Sequence, residues 1–271
     1  MQERSLRRSA LVCAACSTLV SAPAFAAGFD DPGHDPLGIF AWATAVDAFA
    51  PGPIDIADPG GDLASFGLPG NTLGPATGNS FDVVSLGDGG SITLFFASGI
   101  GDWTGDDFAV WENGFAAPGG LFGEFAFVEV STNGVDFVRF ETETLATTAP
   151  GAYGTVDPTL YANFAGDQPI QLGTGFDLAE LADAPLVVAG LVDLDDIAYV
   201  RVVDVVGDGS TTDAFGMPVL DPYPTAFANG GFDLQAIGVL HPAPEPATIV
   251  GLGLGALVLA RLGRRRCAAP R

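Results

Sequence analysis

The sequence predicts an all-β fold, a single antiparallel β-sandwich or jelly roll with long loops. Short segments rich in β-branched and aromatic residues recur along the chain, turns separate them, and no long helices alternate with them. The 271 residues include 37 Gly and 20 Pro, which supply the turns. We expect the sandwich to span residues 28–240, with a signal peptide over residues 1–26 and a sorting tail over residues 241–271.

The N-terminal part of the predicted domain is irregular. Residues 29–78 are rich in Gly, Pro and Asp, and they predict a looping segment with one strand or one short helix. Regular structure begins at residues 81–99, where two arms rich in β-branched and aromatic residues flank a Gly-Asp-Gly-Gly turn. Residues 107–111 predict the next strand.

The clearest local signal is a hairpin in the middle of the chain. Residues 125–130 and 135–140 both have the composition of strands, and Asn133-Gly134 lies between them. Asn-Gly supplies the positive φ angles that a tight hairpin turn needs. We therefore expect these two segments to pair.

The C-terminal half contains two further strong strand patterns. Residues 144–191 predict a long connection, in which residues 176–184 are the best candidate for a short helix. Residues 196–206 are largely apolar and predict a buried central strand. An acidic loop over residues 207–231 follows, and residues 232–240 predict the last strand.

The N-terminus has the layout of a secretory signal peptide. Arg4, Arg7 and Arg8 precede an apolar run over residues 10–20, and small residues lead to Ala26, where we expect cleavage. An uncleaved anchor helix is the alternative, although the apolar run is short for a membrane span.

The C-terminus combines three elements in order. Pro244-Glu245-Pro246 is followed by an uncharged segment over residues 247–260 and then by the arginine triplet Arg264, Arg265 and Arg266. We expect a short transmembrane helix with its arginines in the cytoplasm, because positive charge stays on that side. A buried core helix is the alternative.

These three elements resemble the PEP-CTERM sorting signal of Gram-negative bacteria. The resemblance covers residues 244–266 and implies an exosortase as processing partner. It also implies transient anchoring in the inner membrane, followed by a destination at the cell surface or in the extracellular matrix. It implies no activity.

The predicted domain is strongly acidic. The whole chain has 33 acidic residues, and all but Glu3 and Glu245 lie within residues 28–240, where only Arg139 and Arg201 oppose them. This segment has no lysine and no cysteine, so disulfides do not stabilise it. Such a charge disfavours nucleic acid and anionic membranes as partners and attracts cations. A solvated acidic surface without bound ions is the alternative.

Calcium is the expected cofactor, because loop aspartates are its usual ligands. No EF-hand spacing is present, so composition alone supports the prediction. We expect the loop of residues 102–112 to lie beside the acids of residues 204–233. In residues 102–112 the candidate ligands are Asp102, Asp106, Asp107 and Glu112. In the second group, residues 204–233, they are Asp204, Asp208, Asp221 and Asp233, and Asp213 lies in the same stretch.

Three segments resemble the strands of discoidin-like, galactose-binding jelly rolls. They are VEVSTNGVDF over residues 128–137, YVRVVDV over 199–205 and FDLQAIGVL over 232–240. Asn133 stands where those proteins usually have aspartate. SLGDGGSITL, DFAVWENGF and DPYPT also resemble segments of bacterial cell-surface proteins. The resemblance implies a jelly roll and no established ligand.

The residues favour binding over catalysis. The only histidines are His34 and His241, near the two ends of the predicted domain, and no zinc or thiol motif is present. Trp103 and Tyr223 lie in predicted loops, where exposed rings would stack on a sugar. We expect a non-catalytic, calcium-stabilised adhesion or glycan-binding module associated with extracellular polysaccharide. A structural matrix protein without a discrete ligand is the alternative, and a carboxylate-based glycoside hydrolase is less favoured.

Overall fold

The structure is a computed structural model that describes residues 31–244. The predicted signal peptide lies outside the described residues, and so does the predicted sorting tail apart from residues 241–244. The described part contains sixteen strands, one short α-helix and five 3₁₀ turns, so the predicted all-β class is confirmed. In chain order the strands are β1 Ala41–Trp42, β2 Ala45–Ala50, β3 Val84–Ser85, β4 Ser91–Ile100, β5 Phe108–Glu112, β6 Phe115–Ala117, β7 Gly120–Phe122, β8 Ala126–Ser131, β9 Val138–Arg139, β10 Glu143–Thr144, β11 Tyr161–Ala162, β12 Thr174–Phe176, β13 Ile197–Asp204, β14 Asp208–Thr212, β15 Pro218–Leu220 and β16 Asp233–Val239.

Two five-stranded antiparallel sheets form the body of the described chain. The first sheet has the order β1-β16-β5-β12, and β3 also pairs with β16. The second sheet has the order β2-β4-β13-β8-β9. Three two-stranded pairs, β6-β7, β10-β11 and β14-β15, form separate small sheets.

The two sheets share one hydrophobic core. Phe108 and Ile237 from the first sheet belong to the same buried cluster as Leu94, Val128 and Val200 from the second. The central strand β13 alternates buried and partly exposed positions, as expected where one face packs on a core. A second cluster contains Phe125, whose ring stacks on Tyr161 at 4.1 Å between centroids.

The predicted central hairpin is confirmed. β8 pairs with β9, and Glu129 lies opposite Arg139. In the turn, the side-chain oxygen of Asn133 accepts the backbone N–H groups of Val135 and Asp136 at 2.8 and 2.9 Å, while Gly134 has a φ of 74°. β9 is shorter than predicted, with two residues.

The predicted strands at residues 107–111, 196–206 and 232–240 are also present, as β5, β13 and β16. The strands around the Gly-Asp-Gly-Gly turn, β3 and β4, do not pair with each other, because each enters a different sheet. The N-terminal looping segment contributes two strands, β1 and β2, where one was expected.

The predicted helix at residues 176–184 is a 3₁₀ turn at Leu178–Leu181, and α-helix α1 follows at Pro185–Val188. Pro185 separates the 3₁₀ turn from α1. Proline lacks the backbone N–H that a continuous helix would need, and it is favoured at the start of a new helix. The acidic loop after β13 contains the pair β14-β15. Within residues 31–244 no helix has the length and apolar character that a membrane span requires.

Candidate functional site

The acidic loop of residues 102–112 does not gather its four carboxylates at one point. Asp107 immediately precedes β5, whereas Glu112 is the last residue of β5. A five-residue strand is ~17 Å long. Asp102 and Asp106 lie on the side of Asp107, so Glu112 belongs to a different site from the other three.

Asp107 is buried immediately before β5, and its carboxylate contacts three other residues. Its carboxylate accepts the backbone N–H groups of Trp103 and Leu178, both at 2.9 Å, and lies 3.1 Å from Nδ1 of His241. Burial raises the pKa of Asp107, and these hydrogen bonds oppose the shift. One oxygen each of Asp102, Asp107 and Asp177 lie within 4.8 Å of one another.

Asp106 pairs with the N-terminal segment. Nε2 of His34 lies 2.6 Å from Oδ2 of Asp106, and Asp31 completes a second group whose ligand atoms lie within 4.8 Å of one another. The hydrogen bond to Asp106 raises the pKa of His34. These two groups are the places among the described residues where three His, Asp or Glu side chains come close enough to hold one ion. The calcium prediction stays a prediction.

Four acids of the second predicted group bond to the backbone of neighbouring loops. Asp204 accepts the N–H groups of Phe232 at 2.6 Å and Gly89 at 2.8 Å, and Asp221 accepts that of Phe125 at 3.1 Å. Asp213 accepts the N–H of Thr144, Phe215 and Met217, and the exposed Asp208 accepts that of Ser210. Asp204, Asp213 and Asp221 thereby connect segments that are distant in sequence. Asp208 and Asp213 also make the short-range bonds that favour aspartate in turns.

The remaining predicted acids, Glu112 and Asp233, line one pocket with Glu124. This carboxylate pocket has a volume of about 450 Å³ and lies where β5 ends and β16 begins. All three acids are buried. Nδ2 of Asn113 donates to Oδ2 of Asp233 at 2.7 Å, and Thr225 is a further polar lining residue.

Aromatic side chains surround the carboxylates. Phe115 stacks on Phe122 at 5.1 Å between ring centroids, because the two residues are directly opposite in the β6-β7 pair. The ring centroids of Tyr153 and Phe227 are 6.1 Å apart, and Tyr153 is 76% exposed. The six aromatic lining residues, here called the aromatic rim, are Phe66, Phe81, Phe115, Phe122, Tyr153 and Phe227.

The three carboxyl groups of the pocket resist ionisation. Burial, followed by the charges of Asp233 and Glu124, raises the pKa of Glu112 well above its usual value. Burial, followed by the charges of Asp204 and Asp233, does the same for the pKa of Glu124. Burial raises the pKa of Asp233 to about 6, although bonds from Ser85 and Asn113 act in the opposite direction.

Glu112 and Asp233 were predicted from the sequence as metal ligands, whereas Glu124 and the aromatic rim were not identified. The available signal was the density of phenylalanine and glycine over residues 114–125, around Glu124. That pattern predicts turns and a small apolar cluster, and it does not show which distant loops complete a pocket.

The two predicted sugar platforms lie elsewhere. Trp103 is 54% exposed, its Nε1 donates to the carbonyl of Pro242 at 3.3 Å, and it lines a separate, mostly apolar cavity of about 950 Å³. Tyr223 is partly buried, and the charges of Asp55, Asp88 and Asp208 contribute, after burial, to its raised pKa. The prediction that either ring binds a sugar stays a prediction.

Comparison with models of known protein families gives no match, and comparison with curated protein sequences gives no significant match either.

Proposed function

We propose that this protein is a glycan-binding module of jelly-roll type, exported to the cell surface or extracellular matrix, with the carboxylate pocket as its binding site. The observation that carries the proposal is the composition of that pocket, in which an aromatic rim surrounds buried carboxylates and an amide. Ligand sites usually combine apolar walls with a few polar groups that fix orientation.

A saccharide suits both parts of the pocket. Its C–H faces pack on exposed aromatic rings such as Tyr153, and its hydroxyl groups donate to carboxylates. Glu112, Asp233 and Asn113 supply acceptors and donors within one pocket. The volume of about 450 Å³ lies within the usual range of ligand sites and is large enough for a short oligosaccharide.

The strand order supports the jelly-roll part of the proposal. A jelly roll has eight strands in two sheets connected as Greek keys. The orders β1-β16-β5-β12 and β4-β13-β8-β9 place the first and last strands side by side in one sheet and leave the middle strands to pair in the other. β2 then extends the edge of the second sheet.

The two chain ends support export. Arg4, Arg7, Arg8 and the apolar run that follows them are typical of a secretory signal, and the Pro244-Glu245-Pro246 tail resembles an exosortase substrate. The proposed partners are therefore an exosortase-type enzyme and extracellular polysaccharide, with a membrane anchor before processing.

A glycan array followed by calorimetry on the purified protein tests the proposal. We expect saccharide binding that Tyr153→Ala reduces by about tenfold, because the exposed ring contributes stacking. Phe40→Ala is the matched control, since Phe40 is an exposed aromatic residue that does not line the carboxylate pocket. An array without any bound saccharide would instead favour the structural matrix protein without a discrete ligand.

Glycoside hydrolysis is a second candidate, favoured by one observation. Glu112 and Glu124 are buried carboxyl groups with raised pKa in the same pocket, and a carboxyl group of raised pKa beside a second carboxylate is the arrangement that glycosidases use. Release of reducing ends from a bound oligosaccharide, abolished in Glu112→Gln or Glu124→Gln, would establish it. Binding without any release would exclude it for that ligand.

A further inference from the structure

We propose that the carboxylate pocket selects glycans with free amino groups, so that a protonated amine lies among Glu112, Glu124 and Asp233. This inference rests on the proposed function, in which the pocket binds a glycan. It adds the chemical class of the ligand, an amino sugar whose nitrogen is not acylated.

The pocket carboxylates have no basic partner within the described chain. Residues 31–244 contain four basic side chains, and each contacts another acid. Nη2 of Arg139 lies 2.7 Å from Glu129, and Arg201 also pairs with Glu129. His34 contacts Asp106 and His241 contacts Asp107, at the opposite end of β5.

A bound cation would favour the ionised forms of the three buried acids, and ionised carboxylates accept hydrogen bonds but donate none. Asp233 already accepts from Ser85 and Asn113, and Glu112 accepts from the backbone N–H of Gly114. Each carboxylate has further acceptor sites. A protonated amine is the best match for several such acceptors, because it offers three donors and a positive charge.

The spacing of the pocket carboxylates indicates the size of the cation. The two groups that bring three ligand atoms within 4.8 Å of one another do not include Glu112, Glu124 or Asp233. The pocket carboxylates, which line a cavity of about 450 Å³, therefore do not bring three oxygen atoms as close together as one small ion needs. This arrangement suits an extended ligand with several polar groups better than a single metal ion.

The aromatic rim supports the same ligand. An ammonium group is attracted to the face of an aromatic ring, and the C–H face of the sugar packs on it as well. Phe115, Phe122, Tyr153 and Phe227 place such rings around the buried acids. One ligand class, the amino sugar, thus satisfies both the charge and the apolar walls.

The test compares two oligosaccharides that differ only in acetylation. Binding of a β-1,4-linked glucosamine hexamer and of the matching N-acetylglucosamine hexamer is measured by calorimetry, with EDTA present and at ~0.15 M salt to screen the exposed charges. We expect the free amine form to bind at least about tenfold more tightly. In Glu112→Gln/Asp233→Asn the preference should fall to about threefold or less.

A matched variant separates the pocket from the general acidity of the chain. Asp58→Asn/Asp183→Asn also removes two negative charges, but both aspartates are exposed and outside the pocket. It should keep the preference. Thermal melting confirms that each variant is folded, and Glu124→Gln gives a second route into the pocket if the double variant does not fold.

The outcomes distinguish the inference from the proposed function. Equal affinity for the two hexamers, or a preference that the pocket variants retain, overturns the inference. If the acetylated hexamer then binds and Tyr153→Ala weakens it, the proposed function stands. Loss of the preference in the exposed-charge variant overturns the inference too, whereas absence of binding to either hexamer, and to the glycan array, overturns both.

Discussion

Glu112 and Asp233 line the same pocket, and the charge of Asp233 helps to raise the pKa of Glu112. Strand pairing brings them together, because β5 and β16 are antiparallel neighbours in which Leu234 lies opposite Glu112. Two acids that repel each other are thus fixed side by side by the first sheet. The repulsion between the two acids destabilises the folded state. Such unfavourable arrangements are common at ligand-binding and catalytic sites.

Glu112→Gln should therefore stabilise the protein at neutral pH. The substitution removes a buried, repelled carboxyl group, while the amide oxygen still accepts from Gly114. We expect a gain of ~1–2 kcal/mol in the free energy of unfolding, measured by urea titration at pH 7.5. The exposed Asp183→Asn should change this free energy by less than ~0.5 kcal/mol. A loss of stability in Glu112→Gln would contradict the interpretation.

Stability should rise as the pH falls from about 8.5 to 5. Burial raises the pKa of Asp167 to about 8 and that of Asp233 to about 6. A carboxyl group with a higher pKa in the folded state binds its proton more tightly there. Its contribution is therefore present at low pH and is lost as the pH rises through the folded pKa.

Asp167→Asn isolates one part of this effect. The amide keeps an oxygen for the hydroxyl of Thr174, which now lies 2.5 Å from Oδ1 of Asp167. We expect the melting temperature of the variant to depend less on pH between about 7 and 8.5 than that of the native protein. An unchanged slope in that interval would show that Asp167 is already ionised. Asp183→Asn should leave the slope as it is.

The strands that the sequence predicted best are those with a strong local signal. β13 and β16 are long apolar runs, and the β8-β9 turn contains Asn133-Gly134. The position of the two-residue strand β1 was not predictable, because two residues show no periodicity, and β3 is much shorter than the arm predicted at the start of residues 81–99. Their pairing with β16 comes from the sheet that is already formed.

The candidate site was predictable only in part, for a related reason. Residue type alone indicated that Glu112 and Asp233 were ligand candidates. Glu124, Tyr153 and Phe227 come from three other segments, and only tertiary packing places them around the same pocket. The four acids of residues 102–112 do not meet at one point, because β5 separates Glu112 from Asp107. Their closeness in the sequence does not reveal this separation.

Glu129 should respond to the same chemical change in the opposite direction from Glu112. It is buried, but both arginines of the described chain pair with it, and they also lie over aromatic rings, Arg139 at 4.2 Å from the centre of Phe127 and Arg201 at 3.9 Å from that of Phe137. Glu129→Gln removes the negative charge that pairs with both arginines.

We expect Glu129→Gln to lower the free energy of unfolding by ~1–2 kcal/mol, a value reduced from that of a fully buried pair because the arginines are partly exposed. The urea titration used for Glu112→Gln provides the comparison. If Glu112→Gln and Glu129→Gln changed the free energy of unfolding in the same direction, the arginines beside Glu129 would not account for its effect on stability.

Calcium should act at the group formed by Asp102, Asp107 and Asp177. This group contains only oxygen ligands, which calcium prefers, whereas the group with His34 contains nitrogen. Calcium at ~100 times its dissociation constant should stabilise the protein by ~2.7 kcal/mol and raise its melting temperature accordingly.

Asp177→Asn is the sharpest test of that assignment. The carboxylate of Asp177 accepts the N–H of Ala179 at the start of a 3₁₀ turn, and asparagine caps such a turn equally well, so the fold should be retained. The calcium-dependent rise in melting temperature should then disappear. Asp106→Asn, in the neighbouring group, should leave most of it in place. Identical melting curves of the native protein in calcium and in EDTA would contradict the prediction, and a rise that depends on Asp106 and not on Asp177 would move the ion to the group with His34.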